Sequence, residues 1–62
     1  MLTEREIEVL DLKTKGHTQV EIATKIKISQ PAVSSFYNNA MKKIKESKEV
    51  LEIAKKIGVK LR

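Results

Sequence analysis

Apolar residues recur along the chain at helical spacing, and no segment shows the sustained apolar–polar alternation of a strand. The first amphipathic segment predicts a helix from about Glu4 to Lys15, and Gly16 supplies a left-handed stop after it. Thr3 and Glu6 have the spacing of a capping box at the start of this helix. We expect its buried side to consist of Ile7, Leu10 and either Val9 or Leu12.

A second capping box, formed by Thr18 and Glu21, begins a short helix that runs from Gln19 to about Lys25. A third helix begins soon afterwards, because Ser29 is a favourable N-cap and a proline is tolerated in the first turn. The residue before a proline disfavours helical backbone angles, so one helix cannot run unbroken through this region. The pattern therefore predicts a tight turn over roughly residues 26–29.

The third helix is predicted from Gln30 or Pro31 to about Lys45. Its apolar positions should face the core, and they are Val33, Phe36, Tyr37, Ala40 and Ile44. Its opposite face is polar and carries Ser34, Ser35, Asn38, Lys42 and Lys45. A last helix over about 47–57 ends at Gly58, and it is either capped separately by Ser47 or continuous with the third. The pattern predicts an all-α fold, a small three- to four-helix bundle without winged elements.

A short helix, a tight turn and a polar-faced helix, over about residues 18–45, have the geometry of a helix-turn-helix. The two helices of this motif cross closely, which requires a small side chain such as Ala23 in the middle of the first. Ile28 fits as the apolar residue that closes the turn. Val33 and Phe36 fit as anchors one turn apart on the second helix. Agreement at all these positions favours the motif.

Four stretches carry a family resemblance, namely Leu2–Leu10, Gly16, Glu21–Ala23 and Ile28–Val33. They resemble the LuxR/GerE-type helix-turn-helix DNA-binding domain, whose architecture is shared by region 4 of bacterial sigma factors. Residues 19–43 and 46–54 look closer still to archaeal Tfx-type transcriptional regulators. The resemblance, over roughly residues 2–57, implies DNA binding in transcriptional regulation and pairing of subunits through the last helix. Lys27 stands where many helix-turn-helix proteins have glycine, and the LuxR/GerE branch accepts other residues there.

The charge of the chain is distributed unevenly. The 62 residues carry 13 Lys and Arg against 8 Asp and Glu, a formal net charge of +5. Residues 1–21 hold three basic and five acidic side chains, a net charge of −2, whereas residues 22–62 hold ten and three, a net charge of +7. One-sided positive charge suits a surface that binds a polyanion, because neutralised phosphates release their counterions. The alternative is a solvated lysine-rich surface.

Size and composition exclude several classes of protein. A chain this short buries only about 60% of its unfolded surface, so we expect no internal active site, no enzyme and no cofactor. The absence of cysteine excludes disulfides and a thiolate zinc site. His17 is the single histidine, and we interpret it as a loop imidazole rather than a metal ligand. No apolar run resembles a signal peptide or a membrane span, so we expect a cytoplasmic protein without membrane contact.

In the helix-turn-helix geometry, the N-terminal half of the third helix enters the major groove. The candidate base contacts are Gln30, Ser34, Ser35 and Asn38. The candidate DNA-backbone contacts are Thr18, Gln19, Lys25, Lys27, Lys42, Lys43 and Lys45. The alternative for the first group is an ordinary solvated face, and Thr18 also fits as a helix cap alone.

The last helix leaves its role open, because Val50, Leu51, Ala54 and Ile57 either complete the core or form a two-fold dimer interface. The favoured hypothesis is sequence-specific binding of double-stranded DNA in transcriptional regulation. A helix-turn-helix that docks a protein partner, as sigma-like domains do, is an alternative. A non-specific basic nucleic-acid-binding protein is another. The expected partners are therefore double-stranded DNA, a second copy of the chain and the transcription machinery.

Overall fold

A computed structural model of the chain describes residues 1–59 and contains, in that range, four α-helices and no strand. The helices are α1 (Glu4–Thr14), α2 (Gln19–Lys25), α3 (Gln30–Glu46) and α4 (Lys48–Ile57). The third of them packs against each of the other three. The predicted all-α bundle with a helix-turn-helix is therefore confirmed.

Each helix begins at a polar residue whose side chain caps it. The side-chain oxygen accepts a hydrogen bond from the backbone N–H three residues later in four pairs, Thr3–Glu6, Thr18–Glu21, Ser29–Ala32 and Ser47–Val50. Ser47 has extended backbone angles (φ −137°, ψ 124°), so α4 is a separate helix and not a continuation of α3. Gly16 and Gly58 follow α1 and α4 with φ of 91° and 97°, the left-handed stops expected at these positions.

Two apolar clusters form the core, one along each half of the inner face of α3. The α2 cluster joins α1, α2 and the N-terminal half of α3, and consists of Val9, Leu12, Ile22, Ala23 and Val33. The α4 cluster joins α1, α4 and the C-terminal half of α3, and consists of Leu2, Leu10, Ala40, Ile44, Val50 and Ala54. Tyr37 packs against both clusters, so it connects them. Phe36 and Tyr37, predicted to face the core, are only partly buried.

The buried side of α1 differs from the prediction at two neighbouring positions. Ile7 was expected in the core, but 37% of its surface is exposed. Glu6 is buried instead, with 3% of its surface exposed. Successive helical residues differ by about 100° around the axis, so Glu6 lies within the arc of Val9, Leu10 and Leu12, and Ile7 lies outside it. Val9, Leu10 and Leu12 are all buried, so both alternatives in the prediction are in the core.

Glu6 is held in the core by an ion pair with Lys43 of α3. The Lys43 ammonium donates to Glu6 Oε1 at 2.8 Å, and the backbone N–H of Thr3 donates to the same oxygen at 2.8 Å. Burial is the largest single influence and raises the pKa of Glu6. The hydrogen bonds from Lys43 and with Thr3, together with the Lys43 charge, outweigh burial and hold the pKa below the ordinary value of 4.5.

The turn between α2 and α3 contains a strained residue. Lys27 has a φ of 58°, and in residues 1–59 it is the one non-glycine residue with positive φ. A side chain in this left-handed conformation brings Cβ close to the following carbonyl oxygen, at a cost of roughly 1–2 kcal/mol. Glycine adopts the same angles without that clash, which is the physical reason why glycine is common in such turns.

We expect Lys27→Gly to raise the free energy of unfolding by about 0.5–1 kcal/mol, because relief of strain exceeds the added flexibility of glycine in the unfolded chain. Lys42→Gly, in the regular part of α3, should lower it by about 1 kcal/mol. Urea denaturation followed by circular dichroism measures both. A destabilised Lys27→Gly variant would show that the lysine side chain makes a contact that outweighs its backbone strain.

A carboxyl group whose pKa is lowered by folding stabilises the protein above its unfolded pKa, and this contribution is lost as the pH falls through the folded value. For Glu6 the loss therefore begins below about pH 4.5. We expect Glu6→Gln to reduce stability at pH 7 by about 1–3 kcal/mol and to flatten the decline in stability at acid pH. Glu46→Gln makes the same chemical change at an exposed position and should cost less than about 0.5 kcal/mol. Equal acid profiles for wild type and Glu6→Gln would contradict the assignment.

Candidate nucleic-acid interface

The starts of α2 and α3 lie side by side, because a side chain from one bonds to the backbone of the other. Gln19 Nε2 donates to the carbonyl oxygen of Gln30 at 2.9 Å. This bond brings the candidate backbone contacts at the start of α2 next to the candidate base contacts at the start of α3. The side chains of Thr18 and Ser29 cap one N–H group at each of these ends, and the first N–H groups of a helix have no partner within it. The two N-termini therefore face the same region, as binding of a polyanion requires.

The turn between the two helices is held from inside and from outside. The N–H of Ile28 donates to the Ala23 carbonyl at 3.0 Å, and Ile28 itself packs against the α2 cluster. From outside, Arg5 Nη1 lies 3.4 Å from the carbonyl oxygen of Ile26 and 3.4 Å from Glu8 Oε1. Arg5 therefore connects α1 to the end of α2. Arg5 is not among the residues predicted from the sequence, because nothing in the local pattern indicates a contact 21 positions away.

The outer face of α3 is polar and carries small side chains along its first half. Pro31, Ser35, Asn38 and Lys42 follow one another at intervals of four, three and four residues, and all are exposed. Gln30 is also exposed, whereas Ser34 is half-buried at the margin of this face. Three of the four candidate base contacts are thus exposed, and the fourth is half-buried. The short side chains allow the helix axis to approach a groove closely.

Thr18 acts as the cap of α2 and keeps a free donor. Its side-chain oxygen accepts from the Glu21 N–H at 3.2 Å, and its own N–H donates to Glu21 Oε1 at 2.8 Å. The backbone hydrogen bond from Thr18 is the largest cause of the lowered pKa of Glu21. A hydroxyl carries a hydrogen in addition to its lone pairs, so the capping interaction leaves that hydrogen available. Capping and a phosphate contact are therefore compatible at this exposed residue.

The candidate lysines divide into two kinds. Four of them are exposed, namely Lys25, Lys27, Lys42 and Lys45. Lys43 differs, because its ammonium is bonded to Glu6 and also donates to the Met1 carbonyl oxygen at 3.2 Å. Its charge is thus balanced within the protein, contrary to the expectation of a lysine directed at solvent.

Val20 is an exposed apolar residue that the sequence analysis did not single out. It lies on α2 next to Gln19, and 55% of its surface is exposed. Its position outside the apolar stripe formed by Ile22, Ala23 and Ile26 was the available signal. An apolar side chain this exposed, next to the candidate backbone contacts, makes Val20 part of the surface that a partner of α2 and α3 would meet.

The residues expected at a dimer interface separate into core and surface. Val50 and Ala54 have 1% and 0% of their surface exposed and belong to the α4 cluster. Their assignment to an interface is therefore corrected, because another subunit cannot reach side chains that α1 and α3 already cover. Leu51 and Ile57 are only partly buried and remain accessible.

The described residues offer no metal centre and no membrane-crossing helix. Among residues 1–59, no three His, Asp or Glu side chains are arranged to hold a metal ion. His17 lies half-buried in the loop between α1 and α2. None of the four described helices has the length and apolar character needed to cross a bilayer.

The chain matches the family described as bacterial regulatory proteins of the luxR family (GerE) over residues 1–54. It is 34% identical over 56 residues to the DNA-binding protein Tfx of Methanothermobacter thermautotrophicus, covering 90% of this chain and 41% of that protein. It is 42% identical over 52 residues to a putative transcriptional regulatory protein of Methanococcus vannielii, covering 84% and 37%. A putative transcriptional regulatory protein of Pyrococcus furiosus is 38% identical over 60 residues, covering 97% and 42%.

These relatives are longer proteins than the chain described above. The chain spans about two-fifths of their length, so the similarity concerns one part of each of them. No solved structure matches the chain significantly.

Proposed function

The chain belongs to the luxR family of regulatory proteins, and on that premise we propose that it binds double-stranded DNA with α3 in the major groove. The observation that carries this proposal is the exposed polar face of α3, which begins beside the start of α2. The packing of Ala23 of α2 in the same buried cluster as Val33 of α3 supports it further. Regulation of transcription is the role that fits this activity and the names of the relatives.

Base recognition in this proposal is assigned to four residues with distinct chemistry. The amides of Gln30 and Asn38 pair with adenine through one donor and one acceptor each. The hydroxyls of Ser34 and Ser35 donate or accept, so they discriminate less strongly. Because Ser34 is half-buried, its contact requires a close approach of the helix to the base edges.

Attraction to the phosphates is assigned to the exposed lysines and to the start of α2. Residues 22–62 carry a net charge of +7, and the four exposed lysines Lys25, Lys27, Lys42 and Lys45 contribute to it. Thr18 and Gln19 contact the backbone through their side chains and the helix terminus. This arrangement gives a binding constant that falls steeply as salt is added.

We also propose that two copies of the chain associate through α4. Leu51 and Ile57 support this, because they are apolar and partly exposed, whereas Val50 and Ala54 of the same helix are buried. A two-fold pair would place two copies of α3 on half-sites about one helical turn of DNA apart.

The double variant Ser34→Glu/Asn38→Ala should lose detectable preference for a duplex selected from random sequence, because it adds a negative charge and removes an amide at the base edges. Fluorescence anisotropy across a salt series, with random duplex as competitor, measures this. Asn39→Ala changes the same residue type about 100° further around α3 and should keep affinity within about twofold. Undiminished affinity of the double variant would rule out α3 as the recognition helix.

The same titration separates the alternative functions. Sequence-specific binding requires a steep salt dependence together with a preference for the selected duplex. Equal affinity for all duplexes would indicate a non-specific basic protein. Absence of binding at low salt would instead favour a domain that docks a protein.

Leu51→Glu should shift sedimentation of the chain from dimer to monomer at concentrations of about 100 μM, since it places a charge in an apolar contact. Lys56→Glu, on the opposite side of α4, should leave the dimer intact. Circular dichroism verifies that each variant keeps its helices. If Leu51→Glu unfolds the chain, Leu51→Ala replaces it in the same sedimentation experiment. A wild type that sediments as a monomer at this concentration excludes the proposed dimer.

A further inference from the structure

We propose that Lys43 is a positioning residue that fixes the orientation of α3 for base recognition and does not itself contact phosphate. This inference rests on the proposed function, since orientation of α3 matters only where α3 contacts DNA. It changes the role of a residue that sequence reasoning assigns to the phosphate backbone. It also gives the buried Glu6 a function beyond the cap of α1.

The bonding of Lys43 favours a role inside the protein over a phosphate contact. Two of its three ammonium hydrogens point at acceptors within the protein, Glu6 Oε1 at 2.8 Å and the Met1 carbonyl oxygen at 3.2 Å. Only 37% of its side chain is exposed, and 3% of the Glu6 side chain. A phosphate contact that drew the ammonium away would leave Glu6 as a buried carboxylate without its cation, which is strongly unfavourable.

The Glu6–Lys43 pair adds a directional bond to the apolar packing of the C-terminal half of α3. The C-terminal half of α3 contributes Ala40 and Ile44 to the α4 cluster, and aliphatic contacts of this kind do not depend on direction. The Glu6–Lys43 bond is directional and joins residues 37 positions apart in the chain. In some other proteins, a buried polar pair selects one alignment of two helices among packings of similar energy. We assign that role to this pair.

A fixed orientation matters more for bases than for phosphates. Long flexible lysines follow a phosphate when the helix shifts slightly, whereas hydrogen bonds to base edges require atoms placed to within about 0.5 Å. Loss of the pair should therefore reduce discrimination between duplexes while leaving the electrostatic part of binding unchanged.

Lys42 provides a matched control at the adjacent position. It is exposed on the outer face of α3 and is one of the proposed phosphate contacts. Lys42→Met and Lys43→Met remove the same charge and leave the same apolar stem, so a difference between them reports on the contact and not on net charge.

The experiment compares wild type, Lys42→Met, Lys43→Met and Lys43→Arg in binding to a selected duplex and a random duplex from about 50 to 200 mM salt. Lys43→Met should weaken binding to the selected duplex about tenfold and to the random duplex less than twofold, with an unchanged salt slope. Lys42→Met should weaken both equally and reduce the slope by about 0.9. Lys43→Arg keeps a cation for Glu6 and should therefore retain the wild-type preference for the selected duplex.

The double variant Glu6→Leu/Lys43→Met replaces the pair with apolar groups, a change that often preserves folding. It is used in the same binding experiment if Lys43→Met alone unfolds. It should keep the wild-type salt slope and lose preference for the selected duplex. A slope reduced by about 0.9 in either Lys43 variant, with equal weakening on both duplexes, overturns the positioning role and makes Lys43 a phosphate contact. Failure of wild type to bind either duplex overturns the proposed function, and the positioning role with it.

Discussion

The packing of the inner face of α3 against two apolar clusters is the constraint on which the rest of the structure depends. Val33 joins one cluster and Ala40 and Ile44 join the other, so one helix contributes to the whole core. Tyr37 connects the clusters, and the Lys13 ammonium lies 5.6 Å from the centre of its ring. Because one side of α3 is committed to the core, the opposite side is left exposed along the length of the helix.

Polar interactions add stability that a core of this size does not supply on its own. A domain of this size buries only about 60% of its unfolded surface, less than a larger domain does, so individual interactions of about 1 kcal/mol are a substantial part of its stability. The four side-chain caps each contribute roughly that amount. Gln19 and Arg5 add polar bonds between helices that the α2 cluster also joins, at the start of α3 and at the end of α2. The polar bonds thus define the geometry of the motif, while the apolar clusters supply the cohesion.

Sequence reasoning succeeded where the determinants of structure are local. Capping boxes, a proline in a first turn and glycine stops act within a few residues, and the first three helices begin where these signals predict. The fourth begins after Ser47, which is one of the two alternatives that the sequence leaves open. It failed at Glu6 and Ile7, because periodicity defines the buried side of a helix only to within about one residue. The partner that stabilises Glu6 inside the protein is 37 positions away and leaves no local trace. Similarly, an apolar stripe on α4 did not reveal whether its own chain or a second one covers Val50 and Ala54.

The Glu6–Lys43 ion pair changes which of the chain's positive charges are available to a polyanion. Lys43 contributes to the +7 of residues 22–62, and Glu6 to the −2 of residues 1–21, yet the two neutralise each other inside the fold. The net charge of +5 is unchanged, and so is the long-range attraction that it exerts on a polyanion. At distances shorter than the Debye length of about 8–10 Å, however, the individual exposed cations decide which phosphates are neutralised. Counting lysines along the sequence therefore overestimates the number available for such contacts. Lys43 is the lysine that such a count includes wrongly, because we assign its charge to the orientation of α3 and not to a phosphate contact.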